Sequence, residues 1–146
     1  VWRLSANEMS WTVGSIFGGI FVSVKGEFKN KVRTVSLCLI AFGALLGLLG
    51  AAGSFAAYLV FMGGAGFFFP PIATVQTVHI QEITEPEILG RVFSIVQFIS
   101  ASAMPAAILL FGPLADIMSV ELIMIASGAL LALVGILYGR GLNEAA

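Results

Sequence analysis

The sequence predicts an all-α, polytopic membrane protein with five transmembrane helices, and three observations carry that prediction. Of 146 residues, 59% are hydrophobic and 10% are charged, whereas a soluble domain has about 45–50% apolar and about 25% charged residues. The apolar residues gather in five windows, each near or above the ~20 residues that a helix needs to cross a hydrocarbon core of about 30 Å. None of the windows alternates with the two-residue period of a barrel strand. Backbone groups in lipid must bond internally, so helices remain.

The first window runs from about Leu4 to Val24 and contains Gly14 and Gly18 in the small-xxx-small spacing that lets helix backbones approach closely. The second, about Thr34 to Ala52, repeats that spacing with Gly43 and Gly47. The third, about Phe55 to Ile80, is too long for a straight perpendicular span. Tilt, or a helix kink at Pro70 and Pro71, must absorb the excess, and Gly63, Gly64 and Gly66 just before them mark a bend or a close approach. The fourth covers about Val92 to Leu114. Upstream of it, "TEPE" has capping-box spacing, with Thr84 as N-cap, Pro86 in the first turn and Glu87 reaching back. The fifth covers about Val120 to Tyr138. The connections Ala52 to Ser54 and Ala115 to Ser119 are short enough to predict two antiparallel neighbouring pairs. With no linker or low-complexity tract, residues 1–146 read as a single helical membrane domain.

Charge placement gives an orientation. Lys25, Lys29, Lys31 and Arg33 follow the first span, Arg91 precedes the fourth, and Arg140 follows the fifth. In an alternating topology these lie on one side, while the other side has Arg3 with Asp116 and Glu121. The positive-inside rule makes the basic side cytoplasmic, which predicts a multi-pass protein of the cell (inner or plasma) membrane with a cytoplasmic C-terminus. A net charge of −1 offers no footprint for nucleic acid. The chain opens at Val1 without the basic and short apolar regions of a signal peptide, and reads as a piece of a longer chain.

Polarity divides the helices. The second and fifth carry few polar side chains and suit lipid or scaffold positions. The first has Asn7, Glu8, Ser10 and Thr12; the third has Thr74, Gln76, Thr77 and His79; the fourth has Ser94, Gln97, Ser100 and Ser102. Polar groups in hydrocarbon are costly unless they face a bundle interior or water, so these three helices are expected to line a hydrated cavity or a partner. Glu8 has two readings: a proton carrier or counter-ion for a cationic substrate, or an interfacial carboxylate paired with Arg3. His79 could relay protons, because its ordinary pKa of about 6.5 lies near working pH. Its place near a helix end favours a solvated or capping role. Phe93, Gln97, Ser100 and Met104 share one face of the fourth helix, suited either to a bulky amphiphile or to plain packing. The one His and the lone Cys38 offer no metal spacing, and no nucleophile–base–orienter trio stands out, so neither an enzyme nor a cofactor is expected.

Three stretches, "GSIFGGIFVSVKGEFKNKVR" (Gly14 to Arg33), "PEILGRVFSI" (Pro86 to Ile95) and "GPLADIMSVELIMIASG" (Gly112 to Gly128), resemble the C-terminal half of a major facilitator superfamily transporter, from its eighth span to its twelfth. The closest likeness is to the macrolide-efflux type of drug:proton antiporter, and it covers essentially the whole chain. The resemblance implies proton-coupled export of lipophilic or cationic drugs such as macrolides, with a missing N-terminal half and the lipid bilayer as partners. It also implies a cavity bordered by the first, third and fourth helices, with Glu8, Gln76, Gln97, Ser100 and Met104 as lining residues and Glu8 and His79 as proton-coupling candidates. One departure stands out. The family's cytoplasmic Gly-x-x-x-Asp-Arg-x-Gly motif, started at Gly19, meets Ser23 and Val24 where Asp and Arg belong, although Gly26 and Lys29 match. Two rival readings are a permease for another small metabolite and a non-transporting five-span scaffold or sensor.

Overall fold

The computed structural model describes residues 2–26, 28 and 30–143. Five helices follow one another: α1 (Trp2–Lys25), α2 (Lys31–Gly50), α3 (Phe55–Ile83), α4 (Leu89–Ile117) and α5 (Val120–Asn143). Each predicted window falls inside or beside its helix. Length and apolarity together qualify α2, α3, α4 and α5 to cross a membrane. α1 is long enough, at 24 residues, but Arg3, Asn7, Glu8, Ser10 and Thr12 dilute its first half.

Local chemistry explains most of the ends. Gly26 has φ of 65°, a left-handed conformation natural to glycine, and its N–H bonds to the Val22 carbonyl as α1 stops. Ser54 caps α3 by accepting from the Ala57 N–H at 3.3 Å. The predicted box at Thr84 does not form. Thr84 is instead the extended C-cap of α3, a turn closes from the Ile88 N–H to the Glu85 carbonyl, and α4 begins only at Leu89. Pro86 is the cause: the residue before a proline is driven out of the helical region, so the helix cannot start at Thr84.

Two glycine seams hold the bundle. α1 and α3 run parallel with a constant offset of 49 residues, from Ser10 beside Leu59 through Gly14 beside Gly63 to Gly18 beside Phe67. A Cβ at Gly14 would strike the Gly63 carbonyl, and one at Gly18 the Phe67 carbonyl. α2 and α5 are antiparallel: a Cβ at Gly43 would stand 2.6 Å from the Gly128 carbonyl, and one at Gly128 would stand 2.5 Å from the Gly47 nitrogen. Ser36 donates from α2 to the Gly135 carbonyl of α5 at 2.7 Å. α2 also packs on α3, so the order across the bundle is α1, α3, α2, α5. Trp11 ties the middle together, with ring centroids 6.3 Å from Phe42 and 5.6 Å from Phe69. A small core of Phe28, Val35 and Val75 closes the basic end.

α4 stands apart. It makes no extensive contact with another helix, and none of its residues is buried. The short 118–119 connection therefore does not make α4 and α5 packed neighbours, as the sequence had led us to expect. The glycines by which α5 could accept a partner, Gly128, Gly135 and Gly139, already face α2, and Gly90 and Gly112 of α4 have no atom near the position of an added Cβ.

Candidate functional site

α3 concentrates the chemistry because it holds two prolines inside a continuous helix. Proline has no N–H, so Pro70 leaves the carbonyl of Gly66 without its intrahelical donor, and Pro71 does the same to Phe67. Both orphaned carbonyls face α1. The Ser15 hydroxyl donates to the Gly66 oxygen at 3.3 Å, and the bare Cα of Gly18 lies against the Phe67 oxygen. The Ser10 hydroxyl donates to the Leu59 oxygen at 2.6 Å. α1 thus repairs the helix that the prolines interrupt, which is how membrane helices tolerate proline.

Toward the basic end, α3 forms one wall of a cavity of about 670 Å3 with the end of α1 and the start of α2. Thr74, His79 and Glu82 come from α3, while Phe28, Asn30 and Lys31 close the opposite side. Lys31 forms an ion pair with Glu82. His79 is half-buried three residues before Glu82. Lys25 lies over the Phe21 and Phe28 rings at 5.3 and 5.2 Å. An ion pair, an imidazole and a hydroxyl around an apolar floor can accommodate a molecule with one charged and one greasy part. Among the described residues, no group of three His, Cys, Asp or Glu side chains could hold a metal ion.

The remaining residues singled out from the sequence are dispersed. Glu8 is exposed on α1 and forms no ion pair among the described residues; Arg3 lies over the Trp2 and Phe55 rings instead of meeting it. By the α1–α3 offset, Glu8 is level with Ala57, about 28 Å along the axis from Gln76. Gln76 is exposed on α3, and Gln97, Ser100 and Met104 are exposed on α4. Counted from the basic end, Gln76 and Gln97 lie at similar depths, about 10–12 Å into their helices. Pro71 is fully buried and Pro70 half-buried. Lys31, Arg33 and Arg140 share one end of the molecule, since one cleft is lined by the start of α2 and the end of α5. Arg91 is exposed near the start of α4, and Lys29 lies outside the described residues. Sequence reasoning missed the Lys31–Glu82 pair, whose members are 51 residues apart. It also missed the Ser15 bond, although a serine-rich helix beside a proline helix was a legible hint.

These features define a polytopic helical membrane protein whose polar side chains on α3 and α4 lie off the helix seams, as in a transporter. The chain is 31% identical over 137 residues to macrolide efflux protein A of Streptococcus pyogenes, covering 92% of this chain and 34% of that protein. It is 32% identical over 106 residues to macrolide efflux protein A of Enterococcus faecalis, covering 70% and 32%. It is 24% identical over 119 residues to the multidrug efflux pump Tap of Mycolicibacterium fortuitum, covering 78% and 29%. No family model matches the chain, and no solved structure matches it. The chain therefore spans about a third of the length of the relatives it matches. The resemblance to the macrolide-efflux type of transporter, read from the three quoted stretches, stands on these relatives.

Proposed function

We propose that this chain is part of the C-terminal half of a proton-coupled exporter of lipophilic or cationic drugs, working in the cell membrane with its basic end and C-terminus in the cytoplasm. The observation that carries the reading is the similarity to efflux proteins along 92% of the chain. The exposed polar groups support it: Gln76 on α3 and Gln97, Ser100 and Met104 on α4 belong to helices otherwise apolar enough to span a membrane. In this reading those residues face the translocation cavity, in which substrate passes between two halves that rock about a midplane site. The α3 prolines permit bending between states, with Ser15 holding the Gly66 carbonyl. Glu8, near the end opposite the basic loop, exchanges protons with the outer solution, and His79 sits where protons leave at the inner end. The cavity beside Lys31 and Glu82 is the inner vestibule.

The test uses the full chain as it is encoded, expressed in bacteria deleted for their own drug exporters. Glu8→Gln should reduce macrolide export and flatten its dependence on external pH. Unchanged export across the pH range removes Glu8 from the mechanism.

A further inference from the structure

We propose that the cleft between the start of α2 and the end of α5 binds the headgroup of an anionic phospholipid. The cleft has a volume of about 370 Å3 and is bounded above by Asn30, Arg33 and Arg140. Its lower wall is Leu37, Ile40 and Ile136. Behind the cleft the two helices pack closely: a Cβ at Gly139 would stand 2.5 Å from the Ser36 hydroxyl oxygen, so glycine lets α5 approach α2 here.

Two independent features point to a negatively charged occupant. Arg33 and Arg140 each form no ion pair, hydrogen bond or ring contact among the described residues, although two guanidinium groups border one small space. Lys31, by contrast, is neutralised by Glu82. Asn30 occupies the N-cap position of α2 without making a side-chain capping bond, so the first-turn N–H groups carry their partial positive charge uncapped. A phosphate satisfies both, since arginine grips it through paired N–H donors.

The apolar lower wall selects the source. A free phosphate would gain nothing from Leu37, Ile40 and Ile136, whereas acyl chains beneath a headgroup would run along them. The geometry is that of a basic pocket between membrane helices at the surface of a leaflet, a common setting for anionic lipid headgroups. The site adjoins the inner vestibule, with which it shares Asn30 and Val32, but lies between α2 and α5 where the vestibule lies between α1, α2 and α3, and it does not depend on the chain being an exporter.

The experiment is native mass spectrometry of the full chain as encoded, in detergent, titrated with dioleoyl phosphatidylglycerol and separately with dioleoyl phosphatidylcholine. We expect preferential retention of phosphatidylglycerol. Arg33→Gln and Arg140→Gln should each weaken retention about fivefold, Arg33→Lys with Arg140→Lys should keep only part of it because lysine cannot supply the paired donors, and Arg91→Gln, at the start of α4 and outside the cleft, should leave it unchanged. The proposal is overturned by equal retention of the two lipids, by full retention in both glutamine variants, or by an Arg91→Gln loss matching theirs. Displacement of the lipid by millimolar inorganic phosphate overturns it too, because the site would then serve the free anion. All four variants alter exposed side chains only, so misfolding is not expected; a circular dichroism spectrum matching the parent confirms it.

Discussion

The Ser15 hydroxyl donates to the carbonyl of Gly66, the group that Pro70 strips of its helical partner, so a serine on α1 completes a hydrogen-bond ladder that belongs to α3. Proline at that point would otherwise leave an acceptor bare in a non-aqueous surrounding. The bond makes the α1–α3 seam and the proline pair one unit, and its consequences can be measured.

Ser15→Ala should destabilise the protein by about 0.6 kcal/mol, the average for a side-chain bond between membrane helices. Pro70→Ala returns an N–H to the ladder, so the same Ser15→Ala change in that background should cost much less. A double-mutant cycle read from unfolding in mixed micelles checks this. Equal costs in both backgrounds would mean that Ser15 does not compensate for Pro70.

Gly14→Leu should disrupt the α1–α3 seam, because the Cβ alone would collide with the Gly63 backbone, and rigid backbone has no cheap way to move aside. Gly19→Ala, only five positions on, meets nothing within 4 Å and should be tolerated. Thermal melting in detergent compares them: a large drop in midpoint is expected for the first and none for the second.

Glu82→Gln should cost less than about 1 kcal/mol, since its partner Lys31 and Glu82 itself remain partly solvated and exposed ion pairs contribute little. The swap Lys31→Glu with Glu82→Lys should restore whatever the single changes lose. A coupling energy well above that figure would show that water is excluded from the pair in the assembled protein.

Lys25→Cys and Arg140→Cys, made in a Cys38→Ala background, should react with a membrane-impermeant maleimide from the same side of the membrane, and Ser119→Cys from the opposite side. The expectation follows from the shared end of α1, α2, α3 and α5. Labelling of Lys25→Cys and Arg140→Cys from opposite sides would refute the topology.

Gln97→Leu should alter which drugs are exported, because the exposed face of α4 offers its amide to the proposed cavity. Minimum inhibitory concentrations for a panel of chemically different drugs report the change. An unaltered profile would detach that face from substrate selection.

The seam glycines show how far local reading reaches. Gly14, Gly18 and Gly43 were legible as close-approach positions from spacing alone, and each does meet backbone. Their partners were not legible, because Gly63 and Gly128 are separated from them by 49 and 85 residues, and small-xxx-small spacing says nothing about what fits against it. The candidate site divides in the same way. Gln76 and Gln97 were identifiable as polar groups in apolar helices, but the distance between Glu8 and Gln76 along the bundle emerged only from the register of α1 on α3.

The sequence by itself determined five helices, their approximate limits, the gathering of basic residues at one end and some of the places where backbones touch, though not Gly50, Gly135 or Gly139, because hydropathy, proline and glycine act within a few residues of themselves. Tertiary structure alone decided that α5 spends its glycines on α2 and leaves α4 uncovered, that Ser15 serves Gly66, and that Lys31 finds Glu82. Those outcomes depend on which surfaces interlock across 50 to 100 residues of chain, and shape complementarity between distant helices is not written in any one of them.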